Sequence, residues 1–136
     1  MLTHVLDTSA WVAHIKDEVG GDEVTALFND SETRIGISVI SLVEVHGILK
    51  AIGREKELSD IIEQYRSLFA LIVSVDEGVA FRATTLRQDT SSRLPGIDAI
   101  IAATAALHDA VLVHRDSHFL AIPDKLLKQE MLVAEK

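Results

Sequence analysis

The stretch Leu94–Leu107 reads LPGIDAIIAATAAL and holds one carboxylate, Asp98, in a run that is otherwise apolar or small. Pro95 and Gly96 suit the start of a helix, and no turn signal follows until His108-Asp109. The spacing predicts a buried helix with Asp98 in its first turn. Ionised carboxylates are almost never fully buried unless paired or bound to a metal. The positive end of a helix favours the charge by only about 0.3–1 kcal/mol. Taking a carboxylate out of water costs several times that. Asp98 therefore either caps its helix with its head in solvent, or meets a partner from elsewhere in the chain.

Working outward, Val111–His114 reads as a buried strand that ends at Arg115-Asp116, and a last strand is expected around Met131–Val133. Upstream, Asp89–Arg93 is a polar loop, and Asp76 opens a helix that runs to about Gln88. Ala70–Val75 is a β-branched-rich strand behind an amphipathic helix over Arg54–Phe69. Ser38 suits the cap of a helix that stops at Gly53, and Arg34–Ile37 is the strand before it. Met1–Leu6 is a first strand, followed by the helix start Asp7-Thr8-Ser9, a break at Gly20-Gly21 and a short helix Asp22–Asn29. Short apolar strands alternating with helices predict parallel βαβ units, hence an α/β fold, a three-layer α/β/α sandwich on a central parallel sheet.

Residues 1–136 are one domain's worth of chain. The composition is 48% hydrophobic but only 4% aromatic, so the core is expected to be built from Leu, Ile, Val and Ala. The absence of cysteine excludes disulfides, thiolate metal sites and Cys nucleophiles. No apolar run approaches a membrane span, and Met1 is not followed by a basic and then an apolar region. No membrane association and no signal peptide are expected, and the expected location is the cytoplasm. The net charge of −8 lacks the basic footprint of most nucleic-acid binders. It suits a basic protein partner, or an acidic site that concentrates divalent cations.

Four acids lie in apolar settings: Asp7 after Val5-Leu6, Glu44 in ISLVEV, Asp98 in GIDAII, and Asp116 after VLVHR. Ligands of parallel α/β sheets bind outside the carboxyl ends of the strands. Asp7 and Asp116 belong to that rim. Helices running antiparallel to the strands begin there, which brings in Asp98 and Glu44. Carboxylates converging with no Lys or Arg close by repel one another, and such oxygen-rich sites suit Mg²⁺ or Mn²⁺. Taken singly, each acid could instead be a cap or a solvated turn residue.

VLDTSAW, ISLVEV, LPGIDAIIAATA and VHRDSHF, in this order and spacing from Val5 to Phe119, resemble a PIN domain of the VapC toxin type. The resemblance implies a five-stranded parallel sheet and a metal-dependent endoribonuclease acting on single-stranded RNA, the toxin of a toxin–antitoxin pair. It places the family's catalytic acids on Asp7, Glu44, Asp98 and Asp116. Asp7, Asp98 and Asp116 would ligate Mg²⁺ or Mn²⁺, with Glu44 a ligand or a positioner of ligand water. Cleavage would leave 5′-phosphate and 3′-hydroxyl ends. The small hydroxyl residue after the first acid is Thr8, which either bonds a ligand carboxylate or the scissile phosphate, or caps the first helix. Arg115 either touches the RNA backbone or is solvated. A departure from the family's pattern is His114, where Thr or Ser is common.

The partners expected on this resemblance are an RNA substrate, a cognate antitoxin protein and a second copy of the chain in a homodimer. Trp11, Ile15, Leu27, Phe28, Leu58, Ile61, Ile62 and Tyr65 exceed one narrow core stripe, and are expected either to line a groove for an amphipathic partner helix or to be core or homodimer interface. His114 and His118 have the i, i+4 spacing of some zinc sites, but on a strand-to-turn segment that spacing does not converge two ligands. A nucleophilic-aspartate phosphotransferase of the haloacid-dehalogenase kind needs a second Asp at the position of Ser9, and a receiver domain needs an acidic pair that is missing. The remaining alternative is a PIN fold kept as an RNA- or protein-binding regulatory module without cleavage.

Overall fold

The computed structural model describes residues 1–132. β1 (His4–Leu6), β2 (Ile35–Ser38), β3 (Leu71–Val73), β4 (Val111–His114) and β5 (Gln129–Met131) form one sheet in the order β3-β2-β1-β4-β5. Every pairing is parallel, and Leu6 of the central strand stands between Ile37 and Val113. Successive side chains leave a strand on opposite faces. Val5 and Leu112 accordingly enter one core, and Leu6 and Val113 the other.

The first core lies under α5 (Glu77–Asp89) and α6 (Gly96–Leu107). Ala99, Ala102, Ala103 and Ala105 of α6 are buried, and their small side chains let this helix lie close to its neighbours. The second core lies under α1 (Thr8–Ile15), α2 (Gly21–Asn29), α3 (Ile40–Ala51) and α4 (Leu58–Arg66). The three-layer α/β/α sandwich expected from the sequence is therefore the observed architecture. α3 ends as its sequence predicts, with Gly53 in the left-handed region at φ 73°. A side chain at Gly21 would place its Cβ 2.8 Å from the Ala13 carbonyl, so glycine lets α2 turn back against α1.

Several boundaries differ from the sequence reading. The strands are shorter, because pairing ends where chain neighbours diverge: Met1–Leu6 reduces to His4–Leu6, and Ala70–Val75 to Leu71–Val73. The helix expected over Arg54–Phe69 is a 3₁₀ turn, Glu55–Glu57, followed by α4. The Arg54 guanidinium binds Glu57 through both Nε and an Nη there, at 2.7 and 2.8 Å. The last strand lies at Gln129–Met131, upstream of the expected Met131–Val133, and Val133 is outside the described residues.

The aliphatic-core expectation also needs correction. Trp11, Tyr65, Phe69 and Phe119 are buried, and Trp11 meets Tyr65 and Phe69 edge-on at centroid distances of 5.6 and 5.4 Å. Aromatic residues are few: Trp11, Tyr65 and Phe69, with half-buried Phe28, gather on one face of the sheet, and Phe119 lies in the core on the other. The same packing removes most of the expected partner groove. Trp11, Ile61 and Tyr65 are core, and Ile15, Leu27, Phe28 and Leu58 pack half-buried against them. Residues 11 to 65 carry more apolar surface than a single stripe because four helices pack on this face.

Candidate active site

The chain runs β1-β2-β3 to one side of the sheet and then crosses to β4 and β5 on the other. The point where a parallel sheet reverses in this way opens a crevice at the strand carboxyl ends. Here the crevice lies between β1 and β4, and each strand delivers one acid to it.

Asp7 follows β1 directly and caps α1: its Oδ2 accepts from the Ser9 backbone N at 3.0 Å and from Ser9 Oγ at 2.6 Å. It is 4% exposed. Burial pushes its carboxyl up from the usual range, and the Ser9 bonds oppose that. The Asp7 N–H donates to the Val113 carbonyl, and the Arg115 N–H donates to Ser9 Oγ at 2.9 Å. One chain of donors thus runs from the end of β4 through the Ser9 hydroxyl to the Asp7 carboxylate.

Asp116 lies two residues past β4, half-buried, and caps the 3₁₀ turn Ser117–Ala121 by accepting from the His118 N at 3.0 Å. Its own N–H donates to His114 Nδ1 at 3.2 Å. That bond requires Nδ1 to be unprotonated, so Nε2 carries the proton toward Gln129 Oε1, 2.8 Å away. The Gln129 amide in turn donates to the Phe119 carbonyl at 2.9 Å. His114, at the position where the family's pattern has a small hydroxyl, is a fully buried strut for the Asp116 backbone.

Asp98 occupies the first turn of α6, and no side chain caps that helix. Asp98 is therefore not the capping residue that one reading of Leu94–Leu107 allowed. Burial, then the charges of Asp7, Asp116 and Glu44, push its carboxyl up to about 6, while His118 works in the opposite direction. Glu44, in the second turn of α3, receives the Thr8 hydroxyl at 2.6 Å, and Ser41 Oγ lies 2.9 Å from that hydroxyl. Thr8 is the first residue of α1 and not its cap, since Asp7 takes that role.

The structure thus assembles Asp7, Glu44, Asp98 and Asp116 around one crevice, with carboxylate oxygens of Asp98 and Asp116 and a ring nitrogen of His118 within 4.8 Å of one another. Arg115 is partly exposed but paired: its guanidinium binds Glu18 and the Val19 carbonyl, each at 2.8 Å. Among the described residues, none of the four acids forms an ion pair with Lys or Arg. The donor set of carboxylates, one imidazole and no thiolate fits a divalent cation, and the shared field at Asp98 is what such an ion would relieve. The sequence reading gives Ser9 no role at the site and sets His118 aside with His114 as a non-converging pair, whereas the structure bonds Ser9 to Asp7 and places His118 beside Asp116 and Asp98. The signals of Ser9 and His118, an Asp-x-Ser and an Asp-x-His at two strand ends, are too short to stand out from ordinary turns.

Comparison with known proteins agrees with this fold. No curated protein sequence matches the chain closely. Solved structures do. VapBC2 of Rickettsia felis, bound to a promoter DNA fragment, superposes with a TM-score of 0.77 at 20% identity, over 97% of this chain and 100% of that one. A toxin–antitoxin complex of Klebsiella pneumoniae gives 0.68 at 25% identity, over 89% and 93%. VapC20 of Mycobacterium tuberculosis, a toxin that cleaves the sarcin–ricin loop, gives 0.69 at 15% identity, over 88% and 94%. The PIN-domain profile matches residues 4–125, the span from β1 past Asp116 that builds the crevice, and the chain belongs to the PIN-domain family.

Proposed function

We propose that this chain is a divalent-metal-dependent endoribonuclease of the VapC toxin type, a single catalytic domain that cleaves single-stranded RNA to leave 5′-phosphate and 3′-hydroxyl ends. The observation that carries the reading is the cluster of four carboxylates, unpaired with any Lys or Arg among the described residues, at the sheet's reversal point. PIN domains are nucleases, and solved structures similar to this one include a toxin–antitoxin complex and a toxin that cleaves the sarcin–ricin loop.

Asp7, Asp98 and Asp116 would hold Mg²⁺ or Mn²⁺, whose chemistry at a phosphodiester is to lower the pKa of a bound water and to neutralise phosphate charge. Asp7 is presented by its Ser9 bonds, so its carboxylate is fixed before substrate arrives. Asp98 must lose its proton to serve, and its raised pKa keeps it sensitive to what occupies the crevice. Thr8 holds the Glu44 carboxylate, which leaves Glu44 Oε2 available to orient the attacking water. Arg115 supports the site indirectly, through the tie from its N–H to Ser9 and from its side chain to Glu18. The same reading carries a cognate antitoxin and a second copy of the chain as partners. Val43 and Phe81, 66% and 65% exposed, are apolar side chains that such partners would cover. No helix among the described residues is long and apolar enough to cross a membrane.

The test is digestion of total RNA with mapping of cleavage ends, comparing the wild-type chain with Asp98→Asn in Mg²⁺, in Mn²⁺ and in chelator. Metal-dependent cuts with 5′-phosphate ends, lost in the variant, are expected. Binding of RNA or of a protein with no cleavage under any condition would leave the chain a regulatory PIN module.

A further inference from the structure

We infer that His118 supplies a nitrogen ligand to the rim site, so that this chain holds a mixed oxygen–nitrogen centre that selects Mn²⁺ or Co²⁺ over Mg²⁺. The inference rests on the crevice being the metal centre proposed above, and adds to it a residue outside the four acids.

The ring's placement is the first argument. His118 Nδ1 lies 3.0 Å from Asp116 Oδ1, and a ring nitrogen of His118 lies within 4.8 Å of carboxylate oxygens of Asp116 and Asp98. Ligands at about 2.0–2.2 Å from one ion stand roughly 3–4 Å apart, so small rotations of these three groups close the set.

The second argument is what holds the ring there. The His118 side chain is 62% exposed, so packing does not force it onto the cluster. It is aimed by the backbone. Asp116 Oδ1 accepts the His118 N–H at the start of the 3₁₀ turn, and the same oxygen meets Nδ1. Asp116 in turn is fixed from below by His114 and Gln129. The two histidines of VHRDSHF are therefore divided in role: His114 is turned inward and holds the Asp116 backbone, and His118 is turned outward with Nδ1 beside the Asp116 carboxylate.

The third argument is donor chemistry. Mg²⁺ takes oxygen ligands and water and gains little from imidazole, whereas Mn²⁺, Co²⁺ and Ni²⁺ accept imidazole increasingly well along the first row. A set of three carboxylates and one imidazole thus separates the two classes of ion, where four carboxylates would not.

The test uses the full chain stripped of metal, with melting temperature followed against MgCl₂, MnCl₂ and CoCl₂. Because the side chain is exposed, His118→Ala and His118→Asn are expected to fold as wild type does. The Asn variant places an amide oxygen near the position of Nδ1. Expected is a rise in the apparent Kd for Co²⁺ of about tenfold or more in both variants, as loss of a ligand-shell contact commonly gives. For Mg²⁺, Kd should change less than about twofold in His118→Asn, because an oxygen is retained. Electron spin echo of the Mn²⁺-loaded protein should show coupling to an imidazole ¹⁴N, absent from His118→Ala. Unchanged Co²⁺ and Mg²⁺ affinities in the variants with no ¹⁴N coupling, alongside a metal response that Asp98→Asn abolishes, would overturn the ligand assignment and leave the metal-centre reading standing. If none of the three ions stabilises the wild-type chain, both fail together.

Discussion

Glu18 and Asp98 are two partly buried carboxylates near the end of β4, and they have opposite fates. Glu18 faces the Arg115 guanidinium at 2.8 Å, and that bond holds its carboxyl below the usual range. Asp98 faces Asp7, Asp116 and Glu44, and its carboxyl is pushed up to about 6. Arg115 and Asp116 are consecutive, so one strand end builds a neutralised pair on one side and an unneutralised cluster on the other. A fold does not retain mutual repulsion for stability. The contrast locates function where the charges remain unmatched, and it marks the Glu18–Arg115 pair as a fastening between the α1–α2 connection and β4.

The largest effect expected from breaking this contrast is on catalysis. Asp116→Asn or Asp7→Asn keeps shape and capping ability while removing a ligand charge. RNA cleavage should fall at least about 100-fold, near 2.7 kcal/mol in the barrier, with an unchanged circular dichroism spectrum. Activity within about threefold of wild type would remove these residues from the site.

A smaller effect is expected on the stability of the metal-free protein. Asp98→Asn removes a repelled charge and should stabilise by about 1–2 kcal/mol, a few degrees in Tm. The same variant should lose most of the Tm rise that Mn²⁺ gives the wild type, since stabilisation by a ligand follows its affinity for the folded state. A destabilised Asp98→Asn with an undiminished Mn²⁺ response would make Asp98 a structural residue.

The pH dependence sharpens the same point. The Asp98 carboxyl titrates near 6 when folded and near 4 when unfolded, so between those values the folded chain binds more protons. Its contribution to metal-free stability is therefore full below about pH 4 and declines as pH rises through about 6. Subtracting the Asp98→Asn profile from that of the wild type isolates this decline, and guanidinium melts at closely spaced pH values measure it. Glu18 contributes with the opposite sign, gaining as its carboxylate ionises. Mn²⁺ stabilisation should grow across the window in which Asp98 loses its proton.

The smallest effect belongs to the matched pair. Arg115→Ala should lower stability by less than about 1 kcal/mol, because the partners are partly exposed and screened. The loss should shrink in 1 M salt, and cleavage should stay within about threefold of wild type. A large catalytic loss on Arg115→Ala would instead mean that its side chain serves the RNA.

Sequence by itself determined the alternation of strands and helices, because apolar periodicity and turn residues act locally. It also marked Asp7, Glu44, Asp98 and Asp116, since an acid in an apolar run costs too much to be left without a partner or solvent. It was misleading where tertiary packing overrides local signals. Trp11 and Tyr65 carried no local sign that four helices would close over them, and Arg54–Phe69 gave no sign of the 3₁₀ turn that splits it. Only the tertiary structure decided that Asp98 is no cap, that Arg115 is tied to Glu18, and that the two histidines of one heptapeptide face opposite ways. Those outcomes depend on contacts between residues as far apart as Ser9 and Arg115. The strand order that makes β1 and β4 neighbours brings such residues together, and that order is a property of the assembled sheet.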